Sequence, residues 1–159
     1  MDPEDPAGLE IERQRFMTLD RCLDRGEGPC PLRHPSAAGA LAAFLRKGYQ
    51  RWLFPVWVIM PNHVHLLARP TGKDRALKPF LRQLKGRTAH DLNRLLGRSG
   101  PFWQRDSFDR WIRSARHLNA CRRYILNNPT KAGLGDDYRW VDGGNDREWR
   151  ALVERFDQE

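Results

Sequence analysis

The 159-residue sequence has no apolar run near 18 residues, so a membrane-spanning helix is not expected. Its start, Met1-Asp2-Pro3-Glu4-Asp5-Pro6, is acidic and lacks the apolar stretch of a secretory signal. Cysteine is scarce. Cys22, Cys30 and Cys121 are odd in number and share no CxxC spacing, which argues against a disulfide framework and a zinc ribbon. These absences together point to a cytoplasmic protein. Internal repeats and low-complexity tracts are also missing. Acidic residues are nearly absent from one stretch: between Arg69 and Arg98, nine lysines and arginines are opposed only by Asp74 and Asp91.

What is present fits one domain over residues 1–159, with 40% hydrophobic residues and enough length to bury a core. The formal net charge is +8, and the basic block suggests a polyanionic partner, though helix-friendly lysines and arginines on a solvated face would look the same. Trp103, Phe108 and Trp111 follow it and could stack on unpaired bases or belong to the core.

Prolines and a glycine make residues 1–8 a flexible tail. Residues 9–23 carry a helix-like apolar pattern. Ser36 is a plausible N-cap for a small-residue helix ending near Gly48. Residues 52–60 read as a strand that turns at Pro61-Asn62 into a second strand. Apolar spacing predicts one amphipathic helix over 75–96. Residues 102–112 are aromatic and partly alternating, which predicts another strand. Ser114 should cap a helix over 115–128, which Pro129 should stop. Residues 136–159 form an acidic C-terminal extension with a short helix over 148–156. This order predicts an α+β fold, a ferredoxin-like (RRM-like) antiparallel sheet with helices on one face.

The sequence centres on Met60-Pro61-Asn62-His63-Val64-His65-Leu66-Leu67. Strand side chains alternate, so His63 and His65 share a face and together could hold one divalent metal ion. An isolated His-x-His is more often an ordinary polar pair on a solvated strand face. Tyr124 and Asn128 lie four apart, on one face of the later helix. A tyrosine hydroxyl can be a nucleophile and an asparagine carbonyl a third metal ligand, and a metal-bound phosphodiester would be exposed to attack. A free phenol ionises near pH ~10, so such a site must favour the phenolate. On spacing alone, a half-buried aromatic and a helix-end amide are the commoner explanation.

The His63/His65 motif comes first, then Phe102-Trp103-Gln104-Arg105 with Phe108-Asp109-Arg110, then Tyr124-Ile125 with Asn128-Pro129 and Lys131-Ala132-Gly133-Leu134. In that order the three blocks resemble the bacterial single-tyrosine HUH transposases, closest to the REP-associated tyrosine transposases. Leu23-Asp24-Arg25-Gly26 with Gly28-Pro29 resembles one of their subgroups, and the likeness covers roughly residues 20–135. It implies DNA transposition and recombination through a metal-dependent strand transferase. His63 and His65 would hold Mg²⁺ or Mn²⁺, with Asn128 completing the site. Tyr124 would attack single-stranded DNA at a hairpin end, leaving a 5′-phosphotyrosine link and a 3′-hydroxyl. Gln104 and Arg105 would position DNA, with Lys78, Arg82, Lys85, Arg122 and Arg123 as further DNA contacts. A homodimer is compatible with this family. The alternative is a domesticated or truncated relative that binds DNA without cutting it.

One departure stands out. Family members open with a strand that inserts into the middle of the sheet, and residues 13–19 are a helix-like stretch instead. The expectation is a sheet without its first strand. Either the chain start is placed too far downstream, or the protein is a decayed remnant, or another segment or a partner rebuilds the sheet. An unfilled central position would leave two rows of backbone groups unpaired.

Overall fold

Residues 28–72 and 76–156 are described by the structure, a computed structural model. The tail expected over 1–8, the helix expected over 9–23 and the stretch 13–19 lie outside these residues. The described chain is α+β, with three antiparallel strands and four helices, compatible with a ferredoxin-like arrangement.

Aromatic and β-branched residues make β1 (Trp52–Ile59) a strand that fits a pleated, buried surface. β2 (Val64–Pro70) pairs with it antiparallel, with Val58 opposite His65 and Ile59 opposite Val64. The hairpin turns through Pro61-Asn62, as expected, and the Met60 N–H donates to the His63 carbonyl at 2.8 Å. Between Leu53 and Val56 the register slips. Pro55 falls in that interval, where a residue without an N–H does least harm to a ladder. The slip changes which side chains share a face. Trp52 and Phe54 join Trp57 and Ile59 in one core, whereas Val56, Val58 and Met60 enter another.

Those two cores lie on opposite faces of the sheet, so the helices do not all lie on one face as expected. The first core holds α1 (Pro35–Lys47) and α2 (Leu77–Leu95). The second holds α3 (Ala115–Lys131) and α4 (Asp146–Phe156). A strand buried on both sides needs apolar residues at every position, which is what β1 has over 56–59.

α1 buries Ala37, Ala38, Leu41, Ala42 and Leu45, small side chains that let it approach the sheet closely. It starts one residue before the expected Ser36 cap: His34 is the N-cap and Pro35 fills the first turn, where a missing N–H costs nothing. The Ser36 hydroxyl lies 2.8 Å from His34 Nδ1 instead. Gly48 ends the helix at φ 74°, and a Cβ there would meet the Trp52 carbonyl at 2.7 Å.

α2 buries Phe80, Leu84, Thr88 and Leu92, one residue per turn. Phe80 stacks on Trp52 with ring centroids 4.3 Å apart. Residues 102–112 are irregular rather than the expected strand. Their polar groups find partners on α2: the Trp103 indole donates to Thr88 Oγ1 at 2.8 Å, and Lys85 Nζ donates to the carbonyls of Gln104, Arg105 and Asp106.

Ser114 caps α3 as expected, its hydroxyl accepting from the His117 N–H at 3.1 Å. Pro129 does not stop this helix, which runs on to Lys131. Pro129 removes one ladder donor, yet Asn128 before it stays helical. The Ala132 and Leu134 N–H groups then bond the carbonyls of Asn128 and Pro129.

The C-terminal extension belongs to the sheet. β3 (Val141–Asp142) pairs antiparallel with Trp57 and Val58 on the edge of β1 opposite β2, giving the order β2-β1-β3. Ile59 N–H also donates to the Trp140 carbonyl, and the Tyr138 hydroxyl to the Ile59 carbonyl at 2.6 Å. Among the described residues β1 is paired with β2 on one side and, at Trp57 and Val58, with residues from beyond α3 on the other. Gly144, at φ 71°, lets the chain pass so close to the Pro55 carbonyl that a Cβ would sit 2.6 Å from it. Among the described residues no helix is long and apolar enough to cross a membrane.

Candidate active site

The strand register turns the histidines toward α3. His65 lies beside Val58, which points into the α3–α4 core, so its ring stands on that face. His63 precedes β2 by one residue and is buried. The Nε2 atoms of the two imidazoles are 3.0 Å apart. Cis ligands of an octahedral ion with bonds of about 2.1 Å are about 3.0 Å apart, so both nitrogens fit one coordination sphere.

Asn62 adds a feature the sequence did not single out. Its side-chain oxygen lies 2.7 Å from His63 Nδ1. A carbonyl oxygen can only accept, so it selects the tautomer protonated at Nδ1 and leaves the lone pair on Nε2. Metal-binding histidines are commonly oriented in this way.

α3 supplies the other half. The Tyr124 ring meets His65 edge-on, with centroids 5.3 Å apart. The Lys131 ammonium lies 5.7 Å from the Tyr124 ring centroid and brings a positive charge to the phenol. One turn after Tyr124, Asn128 is completely buried, and its Nδ2 donates to the Tyr124 carbonyl at 3.2 Å. Its Oδ1 is buried with no hydrogen-bond partner among the described residues. An orphaned buried acceptor costs about 1–3 kcal/mol, a cost that a cation at that oxygen would remove. No three His, Cys, Asp or Glu side chains converge among the described residues. As a donor set, two imidazoles and an amide oxygen suit Mn²⁺ better than Mg²⁺, which prefers oxygen ligands.

The expected DNA contacts are distributed less simply. Lys78 and Arg82 are exposed on α2, along a shallow depression shared with Pro79 and Gln83. They lie on the layer across the sheet from Tyr124. Gln104 and Arg105 are exposed but tied to α2 through Lys85. Lys85 directs its donors to three successive backbone carbonyls. Partial burial lowers its pKa, against the opposing charges of Asp106 and Asp109. Arg122 is likewise occupied. It donates to the Gly143 carbonyl at 3.1 Å, pairs with Asp146 at 3.0 Å and covers the Trp149 ring, joining α3 to α4. Arg123 is exposed on α3.

In comparisons with known proteins, no family model, no curated protein and no solved structure matches the chain.

Proposed function

We propose that this chain is a divalent-metal-dependent tyrosine DNA strand transferase, of the kind the REP-associated tyrosine transposases represent, acting on single-stranded hairpin-end DNA. The observation that carries the reading is the imidazole pair, its Nε2 atoms 3.0 Å apart, with a phenol edge-on to one ring. The resemblance in the three sequence blocks supports it independently.

A Mg²⁺ or Mn²⁺ ion held by His63, His65 and Asn128 would neutralise charge on the scissile phosphate. Tyr124 Oη, giving up its proton, forms the bond to phosphorus. The P–O3′ bond breaks, and the departing 3′ oxygen takes up a proton. One phosphodiester replaces another, so a second 3′-hydroxyl can reverse the exchange without an energy source. Lys131 places its charge beside the phenol, and Arg123 offers a contact for the strand on the same helix.

The test is a denaturing gel with labelled single-stranded hairpin DNA, Mn²⁺ and purified protein. A slow-migrating covalent adduct is expected, and Tyr124→Phe should abolish it while leaving native-gel DNA binding within a few fold. No adduct from the unaltered chain, with binding retained, would reduce the reading to a DNA-binding relative that does not cut.

A further inference from the structure

Trp111 is 51% exposed and Phe108 57%, the two large aromatic side chains that stand out in solvent among the described residues. Both belong to the irregular segment that links α2 to α3. Single exposed apolar residues are ordinary, so exposure alone decides nothing. The setting is more specific. Upstream, Lys85 fixes the carbonyls of residues 104–106, and Trp103 is pinned to Thr88. Downstream, Ile112 packs into the α3–α4 core and Ser114 caps α3. Trp111 is therefore held immediately beside an anchored residue, so little ordering entropy remains to be lost on binding.

Charge points the same way. Arg105, Arg110, Arg113 and Arg116 belong to this segment and the start of α3, against Asp106 and Asp109. The two aspartates act on Lys85, so the acidic charge is directed toward α2. Arg110 lies near enough to Cys121 to offset part of the upward push that burial gives that thiol. Cys121 is one turn before Tyr124, so the segment runs on the Tyr124 side of the sheet. Ser114 and Tyr124 are ten residues apart, about 15 Å along a helix.

We propose that Trp111, flanked by Arg110 and Arg113, is a stacking platform for an unpaired base of the single strand that reaches Tyr124. It rests on the DNA-processing reading above and adds where the strand lies. An indole face accepts any base, and guanidinium groups on either side suit the adjoining phosphates. The platform grips single strands without regard to sequence, leaving selection of the hairpin to other contacts.

Fluorescence anisotropy with labelled oligothymidylate, and with an abasic strand of equal length, separates stacking from charge. Trp111→Ala should weaken oligothymidylate binding about tenfold. Binding of the abasic strand should not change, and Trp111→Phe should recover most of the loss. Equal weakening on both strands, or none on either, overturns the proposal. So does a Trp111→Ala chain that binds DNA normally but changes its oligomeric state, which would make the surface a protein interface. A melting curve of each variant keeps misfolding apart from lost contact. The covalent-adduct assay on the unaltered chain stands separately: it can fail while the stacking contrast survives, and the reverse.

Discussion

The side-chain oxygen of Asn62 decides which nitrogen of His63 carries the lone pair. Replacing Asn62 with alanine should lower Mn²⁺ affinity about 10- to 100-fold, the usual effect of losing such an orienting partner. Asn62→Asp keeps the acceptor and should lose much less. Calorimetric titration of Mn²⁺ into the protein checks both, and an unchanged affinity in the alanine variant would mean that another group sets the tautomer. At this scale the sequence was partly legible. Period-two alternation put His63 and His65 on one face, and their rings do meet although His63 lies one residue before the strand. Asn62 was visible only as a turn residue, since nothing in its spacing says what its amide will touch. Lys85 and Arg122 read as DNA contacts; their bonds to the carbonyls of Gln104, Arg105, Asp106 and Gly143 were not legible, because every sequence supplies backbone carbonyls equally.

The C-terminal strand is held by few contacts, and the Tyr138 hydroxyl bond to the Ile59 carbonyl is one of them. Tyr138→Phe should cost about 1 kcal/mol, measured by denaturant unfolding. Burial raises the Tyr138 pKa above the ordinary 10.0. The unfolded chain therefore loses this proton first. Its contribution to stability is complete below about pH 10 and is lost as pH rises through the higher folded value. The phenylalanine variant should lack that part of the alkaline decline; an identical decline in both proteins would assign it elsewhere. Helix bounds were readable where a local signal exists, as at Gly48 and Ser114. The register slip at Pro55 was not, although it decides which tryptophans share a core. Residues 102–112 looked like a strand because their aromatics alternate, but a strand needs a neighbouring ladder and this segment spends its carbonyls on an ammonium. β3 has only two residues, too few to carry a pattern.

Across the whole molecule, the sheet separates the α2 cations from the α3 side where Tyr124 lies. Arg113→Gln with Arg123→Gln should reduce the salt slope of single-strand binding by about 0.7 per charge. Lys78→Gln with Arg82→Gln should leave the slope for a short strand unchanged. Equal reductions in both would show the strand crossing both layers. Net charge was legible from composition; its division between two faces was not, because that depends on the register of one strand. The same architecture sets an order of events during synthesis. The hairpin bearing both imidazoles leaves the ribosome before the helix bearing the phenol, with residues 71–114 made in between (roughly, at 5–20 residues per second, a few seconds). The residues that pair with the second edge of β1 come later still. A nascent chain can thus hold the histidine pair but has no phenol to set beside it, so on the proposed reading the means of breaking a strand would be withheld until most of the fold is made.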